Sequence, residues 1–386
     1  MNRLKNLNIL FDARHIENVY SGLGRYTFSV LITLIKKGGW QKLEIILDSN
    51  NDYSQNPFFK ELSSYSTFKI SFLNAPLYKF KHHLIVSRYV NESNSDLYFY
   101  PHFDAPVFIR KIKVVFVVHD LLPLVVSNYI QKYKKLKQFF FKSVIKINLK
   151  KNNTNCISVS NSTREDILKY IDSKSKEKIK VVYEDAFDIS IKNFKDNYHV
   201  TTVLNLKYLL YIGDRRPHKN LPKMIRIFTL LQKKYNYDGY FVIAGSEKNF
   251  DVDIDGLVSS NEKIKLIGKV SDNELLSLYK NMESLFFISK YEGFGLPIIE
   301  SARFMKKIIT TNTSSCGEIA PENALLINHN DSIDLIGEKV FNYLNSNVKI
   351  NNINFLKNFS LLFILKQFIF KIFWINKTNF IILYYF

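Results

Sequence analysis

Two glutamates stand on either side of a glycine-rich turn in YEGFGLPIIES, residues 291–301. Glu292 comes before the turn and Glu300 comes after it. The apolar run that precedes this segment predicts a buried strand, and the proline after the turn is typical of a helix start. Gly293 and Gly295 can adopt backbone angles closed to other residues and let a ligand approach the main chain. The segment therefore predicts strand, turn and helix.

The chemistry of this arrangement suits a ligand with phosphate at its centre and hydroxyl groups at both ends. The free N–H groups and the positive dipole end of a helix attract phosphate. Two carboxylates are better suited to accepting hydrogen bonds from hydroxyl groups that flank a phosphate. A nucleotide sugar has these features. A plain strand–helix connection with two solvated acids is the alternative, and the spacing alone does not separate the two.

A basic turn in YIGDRRPHKNL, residues 211–221, gives the second chemical signal. A predicted strand ends at Gly213, and Arg215, Arg216 and Lys219 follow before a predicted helix. Arginine can hold a diphosphate through two parallel hydrogen bonds and lysine as a point charge. Such a grip also stabilises a leaving diphosphate as its charge develops. A basic turn that pairs with surface acids is the alternative.

Further polar residues follow predicted strands in the amino-terminal half. Gly22 and Gly24 lie between the first strand and a helix, although a lone pair of glycines is weak evidence for phosphate binding. His119 directly follows VVFVV and can bind a sugar hydroxyl or steady charge near a reacting carbon, unless it is a structural histidine. His102 and Asp104 lie at another strand end, with a role that the sequence leaves open. Glu318, in the polar loop 310–331, is a further candidate for the cleft.

Strand-like runs alternate with helical patterns along the whole chain, and many are continuously apolar. This pattern predicts parallel sheets buried on both faces, that is, an α/β protein with two doubly wound domains. Ligands bind beyond the carboxyl ends of the strands in such folds. The predicted strands are 7–13, 43–48, 68–73, 96–100, 113–120, 155–160, 179–184, 207–214, 239–246, 263–270, 284–290, 306–312 and 324–330.

The chain of 386 residues is long enough for two domains of ordinary size. We expect a first domain over residues 1–187 and a second over 208–357, with the polar stretch 188–207 as linker. Residues 358–386 form a separate apolar and basic segment. This segment suggests a membrane-surface helix, a helix packed across both domains, or an altered reading frame.

The net charge of +19 favours an anionic partner, although a lysine-rich coding bias explains part of it. Lysines cluster in residues 132–151, which contain eight of them, no acid, and several aromatic and aliphatic residues. As a helix this segment resembles one that lies on an anionic membrane, or else a core-packed helix with a solvated lysine face. The sequence shows no signal peptide and no apolar run of spanning length, and its two cysteines suit a reducing cytoplasm.

Taken together, the motifs resemble those of the family-4 retaining glycosyltransferases, which have the GT-B fold of two Rossmann-like domains facing across a cleft. The resemblance covers roughly residues 7–335, and it is closest to bacterial mannosyltransferase-like members that build O-antigen and other surface polysaccharides. The motifs occur in the family's order, and they are SGLGRYT, PHFDAP, VVHDLLPL, VSNSTREDI, YIGDRRPHKNL, YEGFGLPIIESA and NTSSCGEIAPENALLINHND.

The resemblance implies a role for each site residue. Glu300 would bind the ribose, and Glu292 would contact the donor sugar together with the backbone of Phe294, Gly295 and Leu296. Arg216 or Arg215 and Lys219 would hold the diphosphate. Gly24 would approach the phosphates from the first domain, and His119 would touch the donor sugar near its anomeric centre. The family needs no metal, because the cationic side chains replace one.

The sequence thus predicts a retaining hexosyltransferase without metal or other cofactor. The expected donor is GDP-mannose, and the expected acceptor is a polyprenyl-diphosphate-linked oligosaccharide at the inner face of the cytoplasmic membrane. One rival is another enzyme of the same fold, such as an epimerase or a phosphorylase. A second rival is a catalytically inactive protein that binds sugar nucleotides or polyanions. No nucleic-acid-binding module is recognisable, so nucleic acid is not an expected partner.

Overall fold

The computed structural model of the chain describes residues 7–19, 21–127, 129, 133–184, 198–245 and 254–350. Within these residues it contains two α/β domains, each built on a parallel sheet. The first half of the predicted linker, residues 188–197, lies outside the described residues, and the second half begins with a helix, Tyr198–Leu204, that packs against the second domain. The predicted segment 358–386 also lies outside the described residues.

The first domain carries seven strands in the order β3-β2-β1-β4-β5-β6-β7, and every described pairing is parallel. The strands are β1 (Asn8–Asp12), β2 (Lys42–Asp48), β3 (Lys69–Leu73), β4 (Leu97–Tyr100), β5 (Lys113–Val118), β6 (Thr154–Ser158) and β7 (Ile179–Val181). The α-helices are α1 (Gly22–Lys37), α2 (Pro57–Leu62), α3 (Phe80–Glu92), α4 (Leu122–Val125), α5 (Lys134–Lys150) and α6 (Asn161–Tyr170), and two short 3-10 helices cover Arg14–Glu17 and Lys176–Lys178.

The second domain carries six strands in the order β10-β9-β8-β11-β12-β13, again parallel in every described pairing. The strands are β8 (Tyr208–Ile212), β9 (Tyr240–Ala244), β10 (Ile264–Gly268), β11 (Ser284–Phe287), β12 (Lys307–Thr311) and β13 (Leu325–Ile327). The α-helices are α7 (Tyr198–Leu204), α8 (Leu221–Tyr235), α9 (Ile254–Ser259), α10 (Asp272–Asn281), α11 (Leu296–Arg303), α12 (Ser314–Glu318) and α13 (Ile333–Asn345), and a 3-10 helix covers Pro217–Lys219.

All thirteen predicted strands are confirmed, with ends shifted by one to three residues in most cases. Residues of the inner strands are almost all buried, as in β5, where five of six residues are buried, whereas the edge strand β3 has no buried residue. Apolar side chains on both faces of these strands pack against helices on both sides of the sheet. The two-domain, doubly wound prediction is therefore correct.

Strand order reverses once in each sheet, and these reversals determine where ligands can bind. In the first sheet the chain runs from β1 outward to β3 and then returns to β4, beside β1. In the second it runs from β8 outward to β10 and returns to β11, beside β8. Helices after the neighbouring strands leave in opposite directions there and open a crevice at the carboxyl ends. The loops after β1, β4, β8 and β11 line these two crevices.

Helices in the described part of the chain are all too short or too polar to cross a membrane. The lysine-rich segment predicted as a helix is α5, which confirms that expectation over Lys134–Lys150. Its buried side chains face the first sheet, and they include Phe141, Val144 and Ile145. Leu136 and Phe139 instead project into solvent, with 67% and 70% of their surface exposed. The helix therefore has both a core-packed face and an exposed apolar and basic face.

Candidate active site

The crevice between β8 and β11 holds a partly buried ion pair formed by two residues that the sequence singled out. Lys219 Nζ donates hydrogen bonds to both carboxylate oxygens of Glu292, at 2.8 and 2.9 Å. Burial alone would lower the pKa of Lys219, but the charges of Glu292 and Asp214 outweigh it, so that the pKa is raised. Lys219 is therefore a permanent cation at the carboxyl edge of the sheet.

Glu300 lies on α11, the helix predicted after the glycine-rich turn. Gly295 caps this helix with a φ of 107°, a left-handed conformation that glycine adopts without strain, and Pro297 lies in its first turn. Glu300 is 8% exposed, and its Oε2 accepts a hydrogen bond of 2.6 Å from the hydroxyl of Tyr279. Burial raises the pKa of Glu300 above its ordinary value. The structure thus holds a desolvated carboxylate beside the crevice.

The structure separates the two arginines that the sequence left as alternatives. Arg216 donates from Nη1 to the hydroxyl of Tyr129 in the first domain at 2.6 Å, and from Nε to Asp214. Arg215 is buried and pairs with Asp255 at 2.9 Å, beside the starts of α8 and α13. Adjacent residues of this turn therefore point to different sides. Arg216 is the arginine that faces the crevice between the domains.

The glycine turn before α11 serves two different purposes. Gly295 has the expected positive φ, and Leu296 begins the helix. The prediction for Gly293 was wrong, because this residue has no positive φ. A Cβ at position 293 would lie 1.9 Å from the backbone oxygen of His119, so glycine is required for the close approach of the first domain. Phe294 between the glycines is buried, with its ring 6.2 Å from that of Tyr183.

Gly22 and Gly24 begin α1 at the crevice of the first domain, and their surroundings differ. Gly22 is exposed, with open space around the position of a Cβ. The N–H of Gly24 already donates to the hydroxyl of Ser21, and a Cβ there would meet the backbone oxygen of Asn18 at 2.1 Å. The packing of its own loop accounts for Gly24.

Close packing also explains why position 213, just after the end of β8, is a glycine. Its φ is 153°, its N–H donates to the backbone oxygen of Ala244, and a Cβ would approach the hydroxyl of Tyr211 to 2.8 Å. The backbone of β8 therefore turns closely past its own tyrosine before the basic turn begins. A role of Gly213 in donor binding is still a prediction.

His119 faces the second domain, but both of its ring nitrogens are bonded to protein atoms. Nδ1 lies 2.7 Å from Glu184 Oε1, and Nε2 lies 2.8 Å from the backbone oxygen of Pro101. A carbonyl oxygen and a carboxylate both accept, so the doubly protonated ring fits these contacts best. Burial would lower the pKa of His119, but the hydrogen bond and charge of Glu184 outweigh it and raise the pKa. The ring of Tyr26 on α1 packs edge-on against His119.

Several hydrogen bonds close the cleft between the two domains. The hydroxyls of Ser160 and Thr163 at the start of α6 donate to the backbone oxygen of Gly293, at 2.8 and 3.2 Å. Tyr291 donates to the carboxylate of Asp166 on the same helix at 2.6 Å. Glu318, a predicted cleft residue, accepts hydrogen bonds from backbone N–H groups at the first turn of α6. The glycine-rich turn is therefore held directly against the first domain.

The part of the chain that forms the second-domain crevice is similar to a known protein family. Residues 195–354 match the family described as glycosyl transferases group 1. The matched part, about two fifths of the chain, is similar to a group 1 glycosyl transferase domain. It contains the basic turn, the ion pair of Lys219 with Glu292, and the buried Glu300.

Two relatives of known role resemble the chain. The O-antigen chain mannosyltransferase RfbU of Salmonella typhimurium is 27% identical over 220 residues, which are 55% of this chain and 56% of the relative. The O-antigen chain mannosyltransferase B of Escherichia coli is 29% identical over 140 residues, 36% of each chain. The chain thus matches about half or less of the length of these relatives.

Solved structures show that the arrangement of both domains is the GT-B fold. A glycosyltransferase from Rickettsia africae aligns with a TM-score of 0.68 at 17% identity, covering 96% of this chain and all of the other. WaaG, a glycosyltransferase involved in lipopolysaccharide biosynthesis, aligns with a TM-score of 0.65 at 12% identity, covering 95% and 100%. At such identities the likeness concerns the fold alone.

Sequence reasoning missed the side chains that hold the candidate site residues of both domains in place. Tyr279 fixes Glu300, Tyr129 meets Arg216, and Glu184 binds His119. Glu184 is the last residue of a predicted strand, so its position at a carboxyl end was a usable signal. The two tyrosines had none, because tyrosine is abundant in this chain and both lie far in sequence from their partners.

Proposed function

We propose that the protein is a retaining glycosyltransferase that takes a sugar from a nucleotide-sugar donor without a metal ion. The carrying observation is the accessible ion pair of Lys219 with Glu292 at the crevice between β8 and β11. Arg216 comes three residues before Lys219 in the sequence, and the amino terminus of α11 comes four residues after Glu292. A diphosphate placed there would meet two side-chain cations and a helix dipole.

Each residue has a part in the proposed donor complex. Lys219 and Arg216 bind the diphosphate and stabilise its charge as it leaves. Glu292, released from Lys219 on one side, accepts hydrogen bonds from the donor sugar. Glu300 accepts from the ribose hydroxyls, since its buried carboxylate is held in place by Tyr279. The backbone of Phe294, Gly295 and Leu296 lines the sugar, and the supply of side-chain cations is the reason that no metal is required.

The proposed reaction keeps the configuration of the transferred sugar. The acceptor hydroxyl oxygen bonds to the anomeric carbon on the face from which the diphosphate departs. The bond between that carbon and the phosphate oxygen breaks, and the leaving phosphate takes the hydroxyl proton. The protonated ring of His119, held by Glu184, stabilises negative charge on that side of the cleft. The closed contacts of α6 with the glycine-rich turn exclude water from the reacting carbon.

Mannose from GDP-mannose is the proposed donor sugar, because the relatives named above are O-antigen mannosyltransferases. Their names also support an acceptor in surface-polysaccharide assembly, which we take to be a polyprenyl-diphosphate-linked oligosaccharide.

The exposed face of α5 supports attachment to the inner face of the cytoplasmic membrane, where such an acceptor would lie. Leu136 and Phe139 project from this helix among the exposed lysines Lys135, Lys137 and Lys142. Apolar side chains bordered by lysines are typical of segments that lie on anionic lipid.

Donor binding and hydrolysis by the purified protein test the proposal. GDP-mannose, UDP-glucose, UDP-N-acetylglucosamine and dTDP-rhamnose are offered to the wild type and to Lys219→Ala and Glu300→Ala variants. We expect one donor, GDP-mannose, to bind, and both variants to lose it. Lys223→Ala is the matched control, because Lys223 donates to the backbone oxygens of His329 and Asp331 outside this crevice. Failure of all four donors to bind would favour an inactive binding protein instead.

Configuration and membrane attachment need separate measurements. Proton NMR of the first-formed product reports the anomeric configuration, and inversion would contradict the proposed mechanism. Sedimentation with vesicles containing phosphatidylglycerol tests α5. A Leu136→Ser and Phe139→Ser double variant should bind these vesicles more weakly than the wild type, with donor binding unchanged.

A further inference from the structure

The crevice of the first domain holds a group of polar side chains that the proposed transfer reaction does not use. His15 follows β1, and His102 and Asp104 follow β4, so strand-order reversal brings them together. Each can offer one nitrogen or oxygen ligand atom, and these atoms all lie within 4.8 Å of one another. A modest contraction would bring them to the spacing of ligands around one ion.

Two of these three residues bury polar atoms that have no hydrogen-bond partner. His15 is 5% exposed and its Nε2 is unpaired, and Asp104 is fully buried with Oδ2 unpaired. Buried polar atoms are nearly always satisfied in native proteins, so each exception calls for an unseen partner. Here two exceptions from different loops belong to the same group.

The other oxygen of Asp104 is already held in place. Oδ1 accepts from the hydroxyl of Tyr100 at 2.9 Å and lies 2.7 Å from His102 Nδ1. The backbone oxygen of Asp104 receives a hydrogen bond from His82. Tyr100 and His102 thus fix the orientation of the Asp104 carboxylate, as hydrogen-bond partners of metal-binding carboxylates do.

Among the described residues, no arginine or lysine pairs with Asp104 in the way that Arg14 pairs with Asp12. Asp12 forms a fully buried, two-point ion pair with Arg14, whose guanidinium also donates to the backbone oxygen of Ala75. Arg14 is thus occupied, and the group beside it has two imidazoles and one carboxylate. Tyr78 covers the group, with its ring centre 6.2 Å from that of His15 and 5.5 Å from that of His102. Tyr78 itself has a positive φ of 60°, which is uncommon for a residue with a side chain.

We propose that His15, His102 and Asp104 bind a divalent transition-metal ion of the Zn²⁺ class. Two imidazoles and one carboxylate suit this class, and three protein ligands leave a further position for water or a hydroxyl oxygen. The side chain of His102 is 17% exposed and offers an access route from solvent. This site is separate from the donor crevice of the second domain, where side-chain cations meet the diphosphate, and does not depend on the proposed transfer reaction.

Titration of the tag-free, chelator-treated full chain with Co²⁺ tests the site. We expect binding of about one ion per chain, with the visible absorption of a four- or five-coordinate Co²⁺ centre that Zn²⁺ then removes. His102→Gln, Asp104→Asn and His15→Gln should each weaken binding by at least about 10-fold.

His83→Gln is the matched control, because His83 also buries an unpaired nitrogen on the neighbouring helix but does not belong to the group. It should bind Co²⁺ like the wild type. Thermal unfolding identifies any variant that fails to fold. If a variant at the buried positions 15 or 104 fails to fold, His102→Gln still decides the test, because His102 is partly exposed.

Absence of a Co²⁺ signal in the wild type would overturn the proposal and indicate a trapped water in place of an ion. Unchanged affinity in a folded His102→Gln or Asp104→Asn variant would overturn it as well. Donor binding, measured on the same samples with and without chelator, should not change. Loss of donor binding with the chelator would contradict the metal-free donor site and not the metal site.

Discussion

The crevices of the two domains have the same topology but carry differently accessible charges. In the first domain, Asp12 and Arg14 neutralise each other and neither side chain has any exposed surface. In the second domain, Lys219 and Glu292 pair with 14% and 10% of their side-chain surface exposed. A sealed ion pair is a structural element, whereas a pair open to the cleft can exchange one partner for a ligand.

The difference supports the proposal that the donor binds in the second domain. Accessible cations beside the start of a helix suit a diphosphate, and they occur in the second domain. The first-domain crevice instead holds the sealed pair of Asp12 with Arg14 and the group of His15, His102 and Asp104. The same sheet topology thus carries different side chains because the loops after its central strands differ.

Removal of Lys219 should have the largest effect on donor turnover of the substitutions considered. Lys219→Ala deletes the cation that meets the leaving diphosphate and leaves Glu292 without its partner. We expect a loss of about 100-fold or more in kcat/KM, the size seen when a charge-stabilising group is removed. Steady-state donor kinetics measure it.

A double variant separates charge from stability. Lys219→Met with Glu292→Gln removes both charges, so its free energy of unfolding should recover relative to Lys219→Met while donor binding stays lost. In the first domain, Asp12→Asn with Arg14→Met should change stability only. Loss of donor binding in the Asp12→Asn and Arg14→Met double variant would contradict the distinction between sealed and open pairs.

Glu300 should give a smaller effect that depends on pH. A hydroxyl donor bonds to the ionised carboxylate, and burial raises the pKa of Glu300, so donor affinity should fall on acidification earlier than for an ordinary glutamate. The free energy of unfolding should depend on pH in the opposite direction. The folded state holds the proton of Glu300 more tightly than the unfolded state does, so the stabilisation from this proton is present at low pH and is lost as pH rises through the raised pKa.

Donor titrations between neutral pH and pH 5 measure this dependence. Glu300→Gln should weaken binding roughly 10-fold at neutral pH, as expected for a hydrogen bond to a charged group, and flatten the pH profile. An unchanged profile in this variant would remove Glu300 from the donor site.

The two arginines should differ in which quantity they change. Arg216→Ala should raise the donor KM by roughly 10-fold, since Arg216 is partly exposed and its charge is screened by solvent. Arg215→Ala should instead lower the melting temperature with little change in KM, because its partner Asp255 lies away from the crevice. A reversal of these results would contradict the orientation of the basic turn.

The contacts between the domains should contribute least individually. Tyr291→Phe removes a hydrogen bond that closes the cleft, worth about 1 kcal/mol. Ser160→Ala removes a second such bond together with the N-cap bond from Thr163 N–H, so Tyr291→Phe is the cleaner test. We expect a drop of a few-fold in kcat and faster amide exchange at the start of α6. Ser143→Ala on the neighbouring helix α5 serves as a control. Unaltered exchange in both variants would show that other contacts hold the domains.

The sheets were predictable because apolar runs of strand length recur between helical patterns. The positions of Glu292, Glu300 and Lys219 near the carboxyl edge of the sheet were predictable, because each lies in a loop or near the start of a helix that follows a strand. The pairing of Lys219 with Glu292 was not, since it depends on the reversal that places β11 beside β8 across 73 residues of sequence. The choice between Arg215 and Arg216 depends on the turn of the backbone, which composition does not encode.

Gly293 shows the limit of reading a glycine from its neighbours. The sequence suggested an unusual backbone angle, but the reason is contact with His119 in the other domain. Likewise, Glu318 was recognisable as polar and near the cleft, whereas its bonds to the first turn of α6 follow from the docking of the two domains. Contacts across a domain boundary leave no local pattern.

A crystal structure of the protein with a bound nucleoside diphosphate sugar tests the central claim most directly. The account predicts diphosphate oxygens within hydrogen-bonding distance of Lys219 Nζ and the Arg216 guanidinium, with the ribose hydroxyls on Glu300. A diphosphate bound instead at the first-domain loop around Gly22, or beside Arg215 and Lys223, would contradict it.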